Sequence, residues 1–387
     1  MRCSRWKVSA CLLASLMAGL VPSGALAAPD SEVVDTPEQA AYTGWVDEDG
    51  EPCEPAEAVG WLDEDVPARS KFFYDPETVA WYWAEADTTI ARDREAFVPV
   101  DNDVAGEAWE QATDEWRIEH GKWVHLGEDG AVDYGFLLIT DEDGSQKWVF
   151  CDYVTGEMAH GERYIDDSHG DEAGWMYFDP ITGAVDYGWA WLPESNKWVY
   201  YHEVTGRMCY GSLMIEGKPY YLDPATGERL SSDEVAARVI ATAASQNGIT
   251  DGWRYQDRVV ADGGTMNHMG PCAAFVYWCF QEAGMKYQFM NGAASSFPHE
   301  IADWDRNQGR LESTPKPGDI WLIDQPAFRP WAGASEGTHA GIVASVAPDG
   351  KTLYVWEHIY GRVQLLYEDL YIPEGSITGF ARPYYND

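Results

Sequence analysis

The sequence predicts two folds in one chain: an all-β solenoid of short hairpins, followed by an α+β domain with helices packed on an antiparallel sheet. The solenoid is indicated by a repeat, because Trp123, Trp148, Trp175 and Trp198 follow one another at intervals of 25, 27 and 23 residues, each before a glycine-centred turn. Units this short cannot bury a core alone and must stack. After residue 230 the repeat stops, and helix signals followed by a strand pair indicate the α+β domain.

Charge divides the chain at the same place. The 387 residues hold 65 acidic and 26 basic side chains, for a net charge of −39. Residues 29–230 carry −34 of this charge, residues 231–387 carry −8, and the first 28 residues carry +3. A surface this acidic repels phosphate groups, which excludes nucleic acid and anionic lipid as partners. Hydrophobic residues make up 45 % of the chain, enough for packed cores.

The first 28 residues have the composition of a secretion signal. Three basic side chains within residues 2–7 precede an apolar run over residues 8–20 and the small-x-small pattern Ala25-Leu26-Ala27. The alternative, a retained membrane anchor, is disfavoured because the run is shorter than a bilayer requires and Pro22 interrupts it. We expect cleavage near Ala28, a secreted or cell-wall-associated product, and no membrane span after cleavage.

Each repeat joins an aromatic strand to a turn with a Thr-Gly pair. Lys147-Trp-Val-Phe150 leads to Thr155-Gly-Glu-Met-Ala-His-Gly161, and Lys197-Trp-Val-Tyr-Tyr201 leads to Thr205-Gly-Arg-Met-Cys-Tyr-Gly211. This pattern resembles the choline-binding and glucan-binding repeats of cell-wall proteins. The resemblance covers residues 122–227, so we assign residues 122–230 to cell-wall-binding repeats. Residues 29–121 form an acidic region with degenerate copies, such as Gly44-Trp45 and Gly60-Trp61.

The resemblance implies a ligand for the repeats. In that family, aromatic side chains of successive repeats enclose a quaternary ammonium group through cation–π attraction. Candidate ligand contacts here are Trp148, Trp175, Trp189 and Trp198. The alternative is that these rings are the core of the solenoid. The implied partners are peptidoglycan and other cell-wall polymers, with choline or another cationic substituent among the candidate ligands.

The α+β region begins with two helix signals. Ser231 and Glu234 have the spacing of a capping box before an apolar run. A second helix is predicted between Pro271 and Gly284, with Cys272 in its first turn, where the helix dipole favours a thiolate. Cys272 is therefore the candidate nucleophile. Cys279, two turns deeper, is expected to be a packing residue on the same apolar face.

A predicted hairpin supplies the base for this nucleophile. His339 opens a strand that turns at residues 347–350 and returns through residues 351–359. If Ala347 faces Lys351, Gly341 lies opposite Glu357. His339 and Glu357 are then diagonal neighbours on one face, and the carboxylate can orient the imidazole. The alternatives are a structural role for His339 and a solvated strand end for Glu357.

These residues resemble the CHAP family of cysteine- and histidine-dependent amidohydrolases and peptidases. The matching segments are Cys272-Ala-Ala-Phe-Val-Tyr-Trp-Cys279, Lys316-Pro-Gly-Asp-Ile320, His339-Ala-Gly-Ile-Val343, Glu357 and Ile377-Thr-Gly-Phe-Ala-Arg-Pro-Tyr384. The resemblance implies a papain-like α+β fold over residues 231–387. It also implies Cys272 as nucleophile, His339 as base and then acid, Glu357 as orienting residue, and neither metal nor cofactor.

Two positions depart from the family pattern. The family often has Glu-Gly-Asn where this chain has Glu357-His358-Ile359, so an asparagine that helps to fix the histidine is missing. Pro271 stands where some members have a side chain that donates to the oxyanion. His358 either compensates for the missing asparagine or is exposed, and we expect exposure.

The function predicted from the sequence is a secreted peptidoglycan hydrolase. It would cleave either the N-acetylmuramoyl-L-alanine amide or a bond within the peptide. The alternative is a non-catalytic wall-binding protein with a degenerate hydrolase domain. Five cysteines follow the signal, so at least one thiol is free, and a bridge between Cys151 and Cys209 is left open.

Overall fold

The structure is a computed structural model that describes residues 44–385, except residues 64–65, 142, 269, 325–337 and 370–375. The predicted signal peptide over residues 1–28 lies outside the described residues. Across the described part of the chain, no helix combines the length and apolar character that crossing a bilayer requires.

Residues 44–222 form a series of antiparallel hairpins. The strands are β1 (Gly44–Val46), β2 (Gly60–Asp63), β3 (Val66–Pro67), β4 (Lys71–Asp75), β5 (Ala80–Ala84), β6 (Arg94–Pro99), β7 (Gly121–Leu126), β8 (Gly135–Thr140), β9 (Gln146–Cys151), β10 (Gly161–Ile165), β11 (Gly174–Phe178), β12 (Gly188–Leu192), β13 (Lys197–Tyr201), β14 (Gly211–Ile215) and β15 (Lys218–Leu222). Apart from β3, which adds to β2, they pair as consecutive hairpins from β1–β2 to β14–β15. The degenerate upstream copies therefore fold as hairpins too.

Hydrogen bonds between repeats recur at equivalent positions. The backbone N–H of Met158 donates to the carbonyl of Trp123 at 2.8 Å, and that of Met208 donates to Trp175 at 2.7 Å. The lysines before Trp123, Trp148 and Trp198 donate to a threonine carbonyl in the turn of the next repeat, as Lys197 Nζ does to Thr226 at 2.9 Å. Each turn of the repeat thus closes against the preceding hairpin, which is how units too small to fold alone form a solenoid.

Two short helices lie in the connection between the paired strands β6 and β7. They are α1 (Glu107–Gln111) and α2 (Asp114–His120), and they lie between β6 and β7. Thr113 caps α2 by accepting a hydrogen bond from the Trp116 N–H. The hairpin therefore extends across the boundary between the degenerate and the regular copies.

The second region is an α+β domain. Its helices are α3 (Ser232–Ser245), α4 (Trp253–Ala261), α5 (Cys272–Glu282) and α6 (Pro298–Asn307), and its strands are β16 (Leu311–Glu312), β17 (Ile320–Asp324), β18 (His339–Val346), β19 (Thr352–Ile359), β20 (Arg362–Asp369) and β21 (Ser376–Ala381). The six strands form one antiparallel sheet in the order β16-β21-β17-β18-β19-β20. The predicted capping box of Ser231 and Glu234 is present at the start of α3.

Helix α5 is the centre of this domain. It begins after Pro271, ends at Glu282, and is followed by Gly284 in the left-handed conformation. The sequence predicted one apolar face, but the helix is buried nearly all round, including Ala274 and Tyr277. The reason is that α5 packs against the sheet on one side and against α3 and α4 on the other.

The register between β18 and β19 was predicted correctly at the site and wrongly at the turn. Ile342 pairs with Trp356, as expected, which places Gly341 opposite Glu357. Near the turn, however, the N–H of Ala347 donates to Thr352 and not to Lys351. An irregularity between Val343 and Ser345 absorbs this shift of one residue.

The last hairpin packs directly on the α+β domain. Tyr221 belongs to the main core of that domain. Ser212 Oγ donates to the Gly284 carbonyl at 2.7 Å, and Arg238 forms an ion pair with Asp223 at 2.6 Å. The two regions therefore share a packed and hydrogen-bonded interface.

Candidate active site

Three predicted residues from separate elements meet where the inner strands β18 and β19 end. Cys272 is the first residue of α5, His339 begins β18, and Glu357 lies near the end of β19. The imidazole of His339 lies within hydrogen-bonding reach of the thiol of Cys272. Its Nε2 lies 2.5 Å from Glu357 Oε2. Since Nε2 is engaged by the carboxylate, Nδ1 is the nitrogen left to face the sulfur.

The surroundings of Cys272 favour an ion pair. Burial opposes ionisation of the thiol, but the charge of His339 and hydrogen bonds from His339 and from the N–H groups of Ala340 and Ala273 lower its pKa below the ordinary value. Burial alone would lower the pKa of His339, yet the charges of Cys272 and Glu357 and their hydrogen bonds raise it. Both directions indicate a thiolate beside an imidazolium.

The other described cysteines lack this environment. Burial raises the pKa of the Cys279 thiol well above its usual range, and burial raises that of Cys151 to about 12. All five cysteines in the described part of the chain are free thiols, so the Cys151–Cys209 bridge is not formed. Cys272 is the one described cysteine whose pKa is lowered.

Neighbouring residues fix the orientation of the imidazole. A Cβ added at Gly341 would lie 2.5 Å from Val355 Cγ1 and 3.2 Å from Glu357 Cβ, so only glycine lets Glu357 approach the histidine this closely. The indole of Trp321 meets the His339 ring edge to face, with centroids 5.9 Å apart. Glu357 is fully buried and not the solvated strand end of the alternative interpretation.

The expected exposure of His358 is wrong. Its side chain is buried and points to the helical face of the sheet, because neighbouring residues on a strand face opposite sides. It lies beside Pro271 and Gly252, and its Nε2 has no hydrogen-bond partner among the described residues. Burial lowers the pKa of His358, which keeps the ring neutral near pH 7.

Three of the four predicted repeat tryptophans lie at the surface. Trp148, Trp175 and Trp198 are 44 %, 40 % and 46 % exposed. Each faces a residue across its hairpin, and the partner of Trp175 is Tyr164, with ring centroids 5.5 Å apart. Exposed rings in these positions are available to a ligand, unlike core rings.

One of these pairs has further aromatic and acidic neighbours. Tyr210 is 39 % exposed, and burial together with the neighbouring charge of Glu162 and the hydroxyl of Tyr164 raises the pKa of its own hydroxyl. Tyr164, Trp175, Tyr210 and Glu162 therefore gather three rings and one carboxylate, a composition that suits an organic cation. Sequence reasoning identified only Trp175, although Tyr210 stands in the quoted repeat motif.

Trp189 differs from the other three tryptophans. It is half-buried between Tyr200 and Tyr220, each with its ring centroid 5.1 Å away. The guanidinium of Arg229 lies 5.5 Å from the centroid of Trp189 and 5.4 Å from that of Tyr220. A side chain of the protein thus already provides the cation at this aromatic cluster.

Comparison with known proteins gives one family match. Residues 261–358 match the CHAP domain family, a segment that includes Cys272, His339 and Glu357. No curated protein matches the chain.

Several solved structures are similar to the chain. Choline binding protein F from Streptococcus pneumoniae is 21 % identical, with a TM-score of 0.33, over 49 % of this chain and 52 % of that one. The choline-binding domain of CbpL from the same organism is 18 % identical, with a TM-score of 0.28, over 49 % and 87 %. The modular autolysin LytC, also from that organism, is 17 % identical, with a TM-score of 0.23, over 45 % and 36 %.

The match to choline binding protein F spans about half of that protein's length. The family match and the geometry concern the same part of the chain, since the segment runs from the end of α4 to His358 in β19. Residues 261–358 of this chain are a CHAP domain, preceded by a series of stacked hairpins.

Proposed function

We propose that this protein is a cell-wall hydrolase that cleaves an amide bond of peptidoglycan. The observation that carries the proposal is the continuous contact from Cys272 through His339 to Glu357. A nucleophile beside a base, with the base oriented by a third group, is the arrangement that acyl transfer requires. The CHAP domain match supports the same reaction class.

The residues divide the reaction into two balanced steps. The Cys272 thiolate attacks the carbonyl carbon, a C–S bond forms, and the N–H of Cys272 in the first turn of α5 lies near the developing oxyanion. The C–N bond then breaks as the His339 imidazolium gives its proton to the leaving amine. In the second step His339 takes a proton from water, hydroxide attacks the thioester, and the C–S bond breaks to restore the thiolate.

We infer that the hairpins hold the enzyme on the wall. The support is the exposed aromatic surface, above all the cluster of Tyr164, Trp175, Tyr210 and Glu162, which suits choline or another cationic wall substituent. Binding to the wall raises the local concentration of scissile bonds. A protein with this pair of activities acts at the cell surface or after secretion.

The proposal is tested by clearing of a peptidoglycan suspension. Wild type clears it, Cys272→Ala does not, and both sediment with the walls. Cys53→Ala is the matched control, since it removes a free thiol in the repeats and leaves clearing intact. If wild type binds walls and clears none, the chain is the non-catalytic wall-binding protein of the alternative hypothesis.

Wall docking has its own test in the inactive Cys272→Ala background. Tyr164→Ala combined with Trp175→Ala is expected to reduce the amount of protein bound to choline-bearing walls, and free choline should elute the parent protein. Equal binding with and without the two rings would contradict a role for this cluster.

A further inference from the structure

A pocket lies next to the nucleophile on the helical side of the sheet. It has a volume of about 210 Å³. Its lining residues are Thr250, Gly252, Trp253, Gln256, Asn267, His268, Gly270, Pro271 and His358. Pockets for drug-sized ligands measure about 300–1,000 Å³, so this one accommodates a single ring and not a run of peptide.

The wall of this pocket is held in place by a buried amide. Gln256 is 1 % exposed, and its Nε2 donates to the carbonyls of Asn267 and Gly270, both at 2.9 Å. Its Oε1 accepts the N–H of Asn267 at 3.1 Å. These bonds hold Asn267 and Gly270, which lie just before Pro271 and Cys272, against α4, so the pocket is formed before any ligand arrives.

The floor of the pocket carries an unused polar atom. His358 is 7 % exposed, and its buried Nε2 has no partner among the described residues. An unpaired buried nitrogen is costly, and a ligand group that hydrogen-bonds to it recovers that cost. A neutral imidazole nitrogen accepts or donates according to its tautomer, and a hydroxyl or an amide can meet either form.

The rim and the lining describe the ligand further. Trp253 is 60 % exposed, so its indole face is open at the mouth of the pocket. No carboxylate, ammonium or guanidinium is among the described residues that line the pocket. A flat apolar face, neutral hydrogen-bonding groups and room for one ring suit a sugar with hydroxyl and acetamido substituents. They suit a charged peptide side chain poorly.

The position of the pocket shows which half of the substrate it receives. His339 and Glu357 point to one face of the sheet, whereas His358 points to the other. The register places Ala340 opposite His358, about 5 Å away across the strands. The N–H of Ala340 in turn bonds to the Cys272 sulfur, so His358 lies close to the nucleophile. Because His339 protonates the leaving amine, the amine lies on the side of His339, and the acyl half lies on the side of this pocket.

We propose that the pocket between Trp253 and His358 binds the amino-sugar ring of the acyl half, so that the scissile bond joins a lactyl-bearing sugar to the peptide. This inference rests on the proposed hydrolase function. It assigns the cut to the bond between glycan and peptide and not to a bond inside the peptide, in which the acyl half would be an amino acid.

Two substrates with the same amide test the assignment. One is N-acetylmuramoyl-L-alanyl-D-isoglutamine, and the other is D-lactoyl-L-alanyl-D-isoglutamine, which lacks the sugar. We expect wild type to prefer the first by about tenfold in kcat/KM. Trp253→Ala should reduce this preference to about twofold or less, while Trp81→Ala, which removes an exposed tryptophan of β5, should keep it.

The polar contact is tested by His358→Phe, which keeps the ring volume and removes the nitrogen. We expect this variant to lose the preference for the sugar while retaining the wild-type circular dichroism spectrum. Equal cleavage of the two substrates by wild type, or fragments cut within the peptide by mass spectrometry, would overturn the inference while leaving the hydrolase function in place.

A binding measurement separates the two proposals. N-acetylmuramic acid is titrated into full-length Cys272→Ala by calorimetry, with and without Trp253→Ala. Binding that depends on Trp253 supports the pocket, whether or not wild type cleaves either substrate. A wild type that cleaves neither substrate would count against the hydrolase function and not against the pocket. Absence of Trp253-dependent binding overturns the pocket assignment.

Discussion

The hairpin region divides its buried side chains among several small clusters, whereas the CHAP-bearing domain gathers most of its own into one. The cluster around Phe150 and Phe178 and the cluster around Val199 and Tyr201 each serve one or two hairpins. The main cluster of the second domain instead joins four helices to the sheet. A substitution in the hairpins should therefore act locally, while one in the second domain should affect the whole domain and its site.

Buried acids show the same contrast. The Asp75 carboxylate, between two upstream hairpins, accepts hydrogen bonds from Trp45 Nε1, Thr78 Oγ1 and the Glu77 N–H. Burial opposes its ionisation, but these bonds lower its pKa. Asp305 in α6 is also buried, its Oδ1 has no hydrogen-bond partner in the described part of the chain, and burial raises its pKa to about 8. The surroundings of Asp75 therefore stabilise a buried charge, whereas those of Asp305 disfavour one.

The largest effect is expected at the site, where Glu357→Gln keeps the shape and removes the charge that orients His339. We expect kcat to fall by about 10²- to 10⁴-fold, as for the corresponding change in a serine triad. The raised pKa of His339 should also fall, and a less stable imidazolium stabilises the Cys272 thiolate less. Alkylation of Cys272 by iodoacetamide should therefore slow near pH 6 in the variant. The control is Glu312→Gln in the edge strand β16. Unchanged kcat and an unchanged alkylation profile would contradict the assigned role.

The wild-type pH profile follows from the same pair. Activity requires the Cys272 thiolate and the His339 imidazolium together. It should rise with pH through the lowered pKa of Cys272 and fall through the raised pKa of His339. The alkylation rate should stay high below pH 8.5, about the pKa of an ordinary thiol. A rate that increases only near that value would indicate an ordinary thiol.

The two buried acids should give opposite pH dependences of stability. The folded-state pKa of Asp75 is lowered, so its contribution is present above the unfolded value and is lost as pH falls. The folded-state pKa of Asp305 is raised, so its contribution is present below the unfolded value of about 4 and is lost as pH rises through about 8.

The measurement is thermal unfolding of Asp75→Asn and Asp305→Asn from pH 2 to pH 8.5. Relative to wild type, Asp305→Asn should gain on the order of 1–3 kcal/mol as pH rises from about 4 to about 8. Asp75→Asn should instead lose stability relative to wild type as pH rises toward the unfolded-state pKa of about 4, and should change little above it. Parallel pH profiles for the two variants would contradict the predicted difference between Asp75 and Asp305.

Within the hairpins, Trp189 and Trp198 separate packing from ligand contact. Trp189→Ala removes an indole that packs against Tyr200, Tyr220 and Arg229, and should cost about 1–2 kcal/mol. Trp198→Ala removes a ring that is about half exposed and should change the free energy of unfolding by less than about 0.5 kcal/mol. Urea denaturation measures both, and equal costs would contradict this division.

The smallest expected effect is that of salt on wall binding. The acidic hairpins repel wall phosphates, so attraction must come from the aromatic surface and not from bulk charge. Raising NaCl from 50 to 500 mM should change the bound fraction by less than about twofold, or increase it by screening the repulsion. Sedimentation with purified walls measures this, and a steep loss of binding would point to ion pairs as the main contact.

The sequence was most informative where a local pattern determines the structure. The capping box of Ser231 and Glu234 and the helix beginning at Cys272 depend on neighbouring residues, and both were predictable. The contact of His339 with Glu357 was predicted through the hairpin register, although the assumed turn pairing was wrong by one residue. A bulge restored the register, and nothing in the local sequence indicates where such a bulge lies.

Features that depend on distant residues were missed. His358 was expected at the surface, but it is buried by α4 and Pro271. These residues lie more than 80 positions earlier in the chain, so the local sequence does not reveal the contact. Tyr164 was not identified as a neighbour of Trp175, because the long loop between Ile165 and Gly174 does not determine the register of their strands from the sequence. The difference between Trp189 and the other tryptophans depends on Arg229, which replaces the methionine found at this repeat position in Met158 and Met208.

The packing of the last hairpin on the CHAP-bearing domain has a mechanical consequence. Ser212 bonds to the turn after α5, and Asp223 pairs with Arg238, so there is no free tether between the hairpins and the helix that carries Cys272. A polymer held on the hairpins would lie at a set distance and angle from the thiolate. With such a rigid arm, the effective concentration of a scissile bond depends on the repeat length of the polymer, and bonds out of phase with it stay out of reach.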